Sequence, residues 1–221
     1  MSVGKPLYRL HCLAMATLAT LAILAGGRDA GAGDAEKGRA KAVLCIACHG
    51  ATGIGARPEI PNLGGQNQAY LITQMKALRR SGQDQVPSSA PGLRADVVMG
   101  HQAAAMTDAD IDDLVAYYSS RSCMSTKARP TGPVPALVQR CVSCHGPAGR
   151  STTATVPRLA GQQEIYLQNQ LMAFRESNEK NKPREGERRL RQHPVMSRQA
   201  DLISEPDIGA LAHYFSSRTC E

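Results

Sequence analysis

Two segments of the chain carry cysteine and histidine in the same order and at the same spacing, Cys-x-x-Cys-His. The residues are Cys45, Cys48 and His49 in the first segment and Cys141, Cys144 and His145 in the second. Two thiols three positions apart can form thioether bonds with the two vinyl groups of a porphyrin, and the adjacent imidazole can bind its iron. The pattern therefore predicts two covalently bound haem c groups, each with a proximal histidine. Cysteine pairs at this spacing also bind zinc, but a zinc module of the four cysteines would leave both histidines unexplained.

The two motifs belong to a longer internal repeat. At an offset of 96 residues, segment 61–66 (PNLGGQ) matches 157–162 (PRLAGQ), and Tyr70 matches Tyr166. After a one-residue insertion the offset becomes 97, at which Cys123 matches Cys220. The chain is therefore a tandem duplication. We predict a first domain at residues 33–123 (unit 1), a proline-containing linker at 124–136 and a second domain at 137–221 (unit 2).

The second axial ligand of each iron decides which chemistry the haem supports. Methionine gives a six-coordinate site suited to electron transfer, whereas an open position suits substrate chemistry. Only Met99 and Met196 are methionine at the same position of both units, in segments predicted to be loops before the last helix. We therefore predict that these two residues bind the irons opposite the two proximal histidines. The candidates that the repeat does not support are His101, the main rival, and His193, His213, Met75, Met106 and Met172.

Other repeated residues could complete the haem environment. Pro61 and Pro157 could each fix a carbonyl that accepts the free N–H of the proximal histidine, or could be simple turn residues. Four other repeated polar residues could hold haem propionates or belong to helix surfaces. They are Tyr70, Tyr166, Arg79 and Arg175.

Both units are predicted to be helical, and no alternating β-strand pattern is present. Apolar residues recur at helical spacing over residues 68–80 and 165–175, and an amphipathic helix over 35–45 would deliver the first motif. The last helix of each unit begins with a capping residue followed by an acid, Thr107 with Asp110 and Ser204 with Asp207. The charged stretch 176–192 is interpreted as a solvated loop.

Residues 1–32 are predicted to be a signal peptide. A basic start is followed by 13 mostly apolar residues, 13–25, and then by the small residues Ala30-Gly31-Ala32. This run is short for a bilayer span, which needs about 20 residues; an uncleaved anchor is the alternative. In bacteria covalent haem is attached outside the cytoplasm, so the export signal and the two motifs support each other and predict a periplasmic protein.

The composition argues against a nucleic-acid partner and is consistent with a buried porphyrin in each unit. The formal net charge is +7, but basic and aromatic residues are not interleaved, which argues against nucleic-acid binding. There is no Trp and there are only two Phe, so domains of this size lack large apolar side chains for a core. A buried porphyrin in each unit would supply that apolar volume.

Cys123 and Cys220 remain outside the haem motifs. In an oxidising compartment leftover cysteines often pair. A disulfide between the units, two separate thiols and links to another chain all remain open from the sequence.

The chain resembles the dihaem cytochrome c4 family. The resemblance rests on residues 33–38 (GDAEKG), the two C-x-x-C-H-G strings, the repeated Leu-x-Gly-Gln blocks, the repeated methionines and the two Ile-x-x-Leu-x-x-Tyr helices. It covers nearly all of residues 33–221. It implies an all-α fold of two tandem cytochrome c-like domains about a pseudo-twofold axis, with the propionate edges of the haems facing each other. It also implies His/Met ligation, by His49 with Met99 and by His145 with Met196.

The expected function is one-electron transfer in a periplasmic respiratory chain, without enzymatic activity. The resemblance implies delivery to a terminal oxidase, and the donor would be a quinol-oxidising complex or a dehydrogenase, with peripheral contact at the membrane face. One alternative is the cytochrome subunit of a periplasmic dehydrogenase, such as a sulfide-oxidising flavocytochrome. Another is a dihaem oxidoreductase such as a peroxidase, which would need an iron without methionine.

Overall fold

The computed structural model describes Met1 and residues 33–83, 92, 94–123, 134–177 and 189–220. The predicted signal peptide at 1–32 and most of the predicted linker lie outside the described residues. So does most of the charged stretch 176–192.

Unit 1 is built from five helices in its described part. They are α1 (Ala35–Lys41), α2 (Val43–His49), α3 (Gln68–Gly82), α4 (Val97–Ala104) and α5 (Asp108–Ser119), with a short strand β1 (Arg94–Asp96) before α4. The single helix predicted over 35–45 is in fact two, because the chain turns at Ala42. Asp34 starts α1, since its carboxylate accepts hydrogen bonds from the N–H groups of Glu36 and Lys37.

Unit 2 follows the same order without a counterpart of α1 among its described residues. It contains α6 (Val138–His145), a 3₁₀ turn (Pro147–Gly149), α7 (Glu164–Glu176), strand β2 (Arg189–Arg191), α8 (Met196–Asp201) and α9 (Glu205–Ser216). The helices predicted at 68–80 and 165–175 are confirmed as α3 and α7.

The predicted caps of the last helices are confirmed. The Thr107 hydroxyl accepts from the Asp110 N–H and the Asp110 carboxylate accepts from the Thr107 N–H, which is a capping box at the start of α5. Ser204 accepts from the Asp207 N–H at the start of α9. These two helices begin at equivalent positions of the repeat.

Equivalent residues form the core of each unit. In unit 1 the buried side chains include Leu71, Ile111, Leu114 and Tyr118, and in unit 2 they include Leu167, Ile208, Leu211 and Phe215. The first set joins α3 to α5, and the second set joins α7 to α9. The duplication seen in the sequence is therefore also a duplication of the packing.

Unit 1 is extended by the packing of α1 on α5. Gly38 allows this contact, because a Cβ atom at this position would lie 1.9 Å from the Asp113 carbonyl oxygen. The Lys41 ammonium bridges the carboxylates of Asp110 and Asp113, at 2.7 Å from each. Asp113 also accepts from the Asp34 N–H at 2.7 Å. In unit 2 the position of Asp113 is Ala210.

Reciprocal hydrogen bonds join the two units. The Gln66 side chain accepts from the Arg158 N–H and donates to the Arg158 carbonyl, at 2.8 and 2.9 Å. The Gln162 side chain makes the same two bonds with Asn62, at 2.7 and 2.9 Å. Since Gln66 and Asn62 are the repeat counterparts of Gln162 and Arg158, the contact has pseudo-twofold symmetry.

The helices α3 and α7 also complete their first turns across this interface. The Tyr70 N–H donates to the Ala154 carbonyl at 3.1 Å, and the Tyr166 N–H donates to the Pro58 carbonyl at 3.0 Å. These N–H groups have no partner inside their own helices. Each unit therefore supplies an acceptor that the other needs.

A short sheet and a disulfide also join the two units. Strands β1 and β2, which no alternating pattern in the sequence indicated, form a two-stranded antiparallel sheet in which Arg94 pairs with Arg191. Segments of three residues are too short to show an alternating pattern. Cys123 and Cys220 form a disulfide, with a Cα–Cα distance of 5.9 Å. This is the first of the three arrangements that the sequence left open.

Candidate haem-binding sites

The two cysteine–histidine motifs lie at the ends of α2 and α6. Both helices stop at a glycine with positive φ, Gly50 (+69°) and Gly146 (+76°), a conformation that other residues seldom adopt. Within each motif, positions i, i+3 and i+4 of a helix share one side. The first cysteine of each motif is half-buried, and the second, Cys48 or Cys144, is exposed.

The two motif histidines are held in the same way. His49 and His145 are each only 6% exposed. Their Nδ1 atoms lie 3.2 Å from the Pro61 carbonyl and 3.0 Å from the Pro157 carbonyl. A carbonyl can only accept, so Nδ1 carries the proton and Nε2 keeps the lone pair that can bind a metal. The contact predicted for the two prolines is confirmed.

Burial favours the neutral form of both imidazoles. It lowers the pKa of His49 and of His145, and the carbonyl hydrogen bonds only partly oppose this shift. A neutral imidazole is the form that binds iron. Burial also raises the pKa of the Cys45 and Cys141 thiols.

Met99 and Met196 lie in helices, and the prediction that they lie in loops was wrong. Met99 is the third residue of α4 and Met196 is the first residue of α8, and both side chains are half-buried. Both helices are short, with eight and six residues. A helix of six to eight residues has too few turns to show a helical spacing of apolar residues, which is why the sequence did not indicate α4 and α8.

Different side chains cap these two helices at the same repeat position. The Asp96 carboxylate accepts from the Val98 and Met99 N–H groups, at 3.1 and 3.0 Å. In unit 2, the Nδ1 atom of His193 accepts from the Val195 and Met196 N–H groups, at 3.3 and 3.2 Å. Each cap fixes the backbone that carries the methionine. His193 therefore has a structural role in this part of the chain.

The other candidate ligands are placed differently. Met75 and Met106 pack against the core residues Leu71, Ile111 and Val115. His101 is exposed on α4. His213 is exposed on α9, with its Nδ1 atom 3.1 Å from the Glu164 carboxylate.

Two arginines at the interface, the half-buried Arg94 and the buried Arg191, were not predicted as site residues from the sequence. Arg94 donates to Gln74 at 2.8 Å and to the Tyr166 hydroxyl at 2.9 Å. Arg191 donates to Gln170, and to the Tyr70 hydroxyl at 2.8 Å. Each arginine therefore contacts a tyrosine of the other unit. The repeat could have indicated both residues, because Arg94 and Arg191 match at the offset of 97.

These arginines fit the propionates of two haems. A buried cation is costly unless an anion compensates it. Among the described residues, the hydrogen-bond partners given above for both guanidinium groups are neutral, and the Asp96 carboxylate lies close enough to raise the pKa of Arg94. A haem propionate is an anion of suitable chemistry, and Arg pairs readily with carboxylates. The residues present thus fit the cofactor that the motifs predict.

Arg79 and Arg175 have a different role, the helix-surface alternative left open above. Arg79 donates to the Met106 carbonyl at 2.9 Å and to Asp108 at 2.6 Å. Arg175 makes the equivalent bonds with the Ile203 carbonyl and Glu205. Each arginine links its own helix, α3 or α7, to the residues around the start of the last helix of the unit.

Two further properties concern metals and membranes. Among the described residues, no three His, Cys, Asp or Glu side chains converge closely enough to hold a metal ion. No helix in the described ranges is long and apolar enough to cross a membrane.

Comparison with known proteins agrees with this geometry. The cytochrome c family model matches residues 35–122 and, a second time, residues 134–219. Cytochrome c4 of Pseudomonas aeruginosa is 32% identical over 195 residues, which cover 83% of this chain and 88% of the relative. The structure of reduced cytochrome c4 from Pseudomonas stutzeri superimposes with a TM-score of 0.64 at 30% identity and covers 85% of this chain and 100% of that one. A thiosulfate dehydrogenase electron acceptor of Stutzerimonas stutzeri is 30% identical and covers 80% of this chain and 79% of the relative.

The fold and the repeated motifs define a c-type cytochrome with two covalently bound haem c groups in tandem all-α domains. The chain belongs to the cytochrome c family, and within it to the dihaem cytochrome c4 group. The resemblance stated from the sequence is confirmed. Proteins of this group carry electrons, so this chain is an electron carrier with redox partners.

Proposed function

We propose that this protein carries single electrons in the periplasm and that each unit holds one six-coordinate haem. In unit 1 the haem is bound by Cys45 and Cys48, and its iron by His49 and Met99. In unit 2 the corresponding residues are Cys141, Cys144, His145 and Met196. The observation that carries this proposal is the pair of matching sites, each with a buried histidine oriented by a proline carbonyl.

The protein residues prepare the site for electron transfer in three ways. Haem, when bound, supplies one-electron chemistry between ferric and ferrous iron. The Pro61 and Pro157 carbonyls keep each imidazole oriented with Nε2 free to bind. The caps of α4 and α8 hold the backbone at each methionine. Arg94 and Arg191 offer positive charge to propionates in a buried interface.

The proposal also includes the organisation of the chain and its redox partners. Residues 1–32 direct export and are removed, residues 33–123 and 137–221 are the two haem domains, and residues 124–136 connect them. A quinol-oxidising complex or a dehydrogenase donates the electrons, and a terminal oxidase in the respiratory chain accepts them. With Met99 and Met196 bound to the irons, neither haem would have an open position for a substrate, so the proposed role is electron transfer without enzymatic activity.

A second candidate function is that of a dedicated electron acceptor for one periplasmic dehydrogenase. The relative named as a thiosulfate dehydrogenase electron acceptor favours it. The same haem sites would serve both functions. Co-purification distinguishes them, because a dedicated acceptor should be isolated in a stable complex with its dehydrogenase.

The absorption spectrum of the oxidised holoprotein tests the ligand assignment. The weak methionine-to-iron band at the red edge of the spectrum, calibrated per haem, should have the intensity of two haems. Met99→Ala and Met196→Ala should each remove half of this band, whereas Met75→Leu in the core should leave it intact. A wild-type band with the intensity of one haem would contradict the proposal and favour a dihaem enzyme.

A further inference from the structure

The two units differ by one hydroxyl group at the same position of their last helices. Tyr118 in α5 matches Phe215 in α9 at the offset of 97. Both side chains are buried, with exposed fractions of 4% and 3%. Each belongs to a core cluster against which the first cysteine of the haem motif packs, Cys45 in unit 1 and Cys141 in unit 2. The thioether-bonded edge of each haem therefore belongs beside this position.

The Tyr118 hydroxyl is buried and has no hydrogen-bond partner among the described residues. An unsatisfied buried hydroxyl destabilises a fold, and in unit 2 Phe215 fills the same position without one. Burial also raises the pKa of Tyr118, so the side chain keeps its proton and remains a hydrogen-bond donor. The neighbouring Tyr117 differs, because its hydroxyl donates to the Ala51 carbonyl at 2.7 Å. The Tyr118 hydroxyl therefore needs an acceptor that the described residues do not supply.

The chemistry of a haem limits which hydrogen bond it can make at its thioether-bonded edge. The thioether sulfur and the metallated porphyrin ring can accept a hydrogen bond, but they carry no N–H or O–H group that could donate one. The Tyr118 hydroxyl can therefore act there only as the donor. A donor at this edge withdraws electron density from the haem and favours the ferrous form, which carries one more electron.

We propose that the Tyr118 hydroxyl donates a hydrogen bond to the thioether-bonded edge of the unit 1 haem and thereby raises the reduction potential of that haem. This inference rests on the proposed attachment of haem through Cys45 and makes Tyr118 a residue that tunes electron transfer. Phe215 leaves the haem of unit 2 without this donor. The two haems then differ through one buried oxygen atom, although their proximal histidines are held in the same way.

The reduction potentials of the individual haems test the proposal. Paramagnetic NMR follows each haem separately during a redox titration of the holoprotein, because haem methyl signals are assigned to a unit through contacts with its motif residues. Tyr118→Phe gives unit 1 the residue of unit 2. The equilibrium constant for reduction of the unit 1 haem should fall about threefold, which is about 28 mV at about 59 mV per tenfold change. The reciprocal variant Phe215→Tyr should raise the potential of the unit 2 haem.

Tyr117→Phe is the matched control, because it removes a hydroxyl from the same helix that already has an acceptor in the protein. It should change the potential of either haem much less than Tyr118→Phe does. Resonance Raman spectra of the ferrous holoproteins give a second measurement. The carbon–sulfur stretching band of the thioethers should shift in Tyr118→Phe and not in Tyr117→Phe. Both variants keep the aromatic ring, so a loss of packing does not account for such a difference.

The outcomes separate this inference from the function on which it rests. An unchanged or higher potential of the unit 1 haem in Tyr118→Phe would overturn the proposed hydrogen bond. An equal loss of potential in Tyr117→Phe would also overturn it, because any lost hydroxyl on α5 would then have the same effect. Mass spectrometry of proteolytic peptides tests the underlying assignment. A wild-type peptide that contains Cys45 and Cys48 without haem would contradict the haem site proposed for unit 1 itself.

Discussion

At the scale of single residues, comparison of equivalent positions in the two units shows which contacts of the haem sites are the same and which are made by different side chains. The proximal histidine and its proline carbonyl are the same in both units. The cap of the methionine helix is Asp96 in one unit and the imidazole of His193 in the other. Any side chain with an acceptor atom at this position can satisfy the free N–H groups. Aligned by sequence, Asp96 and His193 look like an unrelated substitution. In the structure both side chains accept hydrogen bonds from the first N–H groups of the methionine helix.

The arginine pair leads to a prediction at this scale. Arg94→Gln removes a half-buried positive charge beside the expected propionate. Less positive charge near the iron favours the ferric form. The reduction potential of the haem whose propionate contacts Arg94 should therefore fall, by on the order of tens of millivolts. A spectroelectrochemical titration of the holoprotein measures this shift. Arg80→Gln, which removes an exposed charge on α3, is the control and should leave the potential nearly unchanged. An unchanged potential in Arg94→Gln would contradict the assignment of this residue to a propionate.

At the scale of helices, α1 makes unit 1 different from unit 2. It is joined to α5 through Lys41, whose ammonium contacts Asp110 and Asp113. The hydrogen bond from Lys41, together with that from the Asp34 N–H, lowers the pKa of Asp113. The same two carboxylates raise the pKa of Lys41. The charged network therefore stabilises the contact between α1 and α5 most when all its members are ionised.

This network predicts how stability depends on pH. The pKa of Asp113 is lower in the folded than in the unfolded protein, so its contribution is present above the unfolded value of about 3.9. It is lost as pH falls through the folded pKa. Asp113→Asn should therefore lower the melting temperature at pH 7, and the difference from wild type should shrink below about pH 4. Thermal unfolding of both holoproteins from pH 3 to pH 7 checks this. A difference independent of pH would show that the carboxylate charge has no role.

Helix positions could be read from the sequence where periodicity or capping was strong. The long helices α3 and α7 and the starts of α5 and α9 were predicted, because about three turns of apolar spacing or a Thr/Ser–Asp pair mark them. The break at Ala42, the short helices α4 and α8 and the strands β1 and β2 were missed. Elements of three to eight residues have weak local signals, and their conformation depends on tertiary contacts.

At the scale of the whole molecule, the two units form one body through reciprocal contacts. Gln66 and Gln162 each pair with the backbone of the other unit. Arg94 and Arg191 reach tyrosines across the same interface, and the disulfide of Cys123 with Cys220 ties the ends of the two last helices. These contacts hold the two haem domains in one relative orientation.

The disulfide gives a prediction at this scale. It closes a loop with a sequence separation of 97 residues, and such a cross-link restricts the unfolded chain. Cys123→Ser/Cys220→Ser should lower the free energy of unfolding by about 2–5 kcal/mol. Denaturant titration of the holoprotein under non-reducing conditions measures the loss, while the visible spectrum should stay unchanged. Wild type treated with a reductant should match the variant. Equal stability of the variant and oxidised wild type would contradict a stabilising role.

The sequence by itself determined the two haem motifs, the duplication, the repeated methionines and the long helices. These features depend on residue type and on spacing along the chain, and the covalent chemistry of haem attachment requires that spacing. The tertiary structure decided which polar groups meet across the units. In the folded protein Arg94 lies beside Arg191, and Cys123 is bonded to Cys220. The His193 ring accepts hydrogen bonds from the N–H groups at the start of α8. Each of these depends on the distance between groups that are folded together, and no local pattern along the chain encodes that distance.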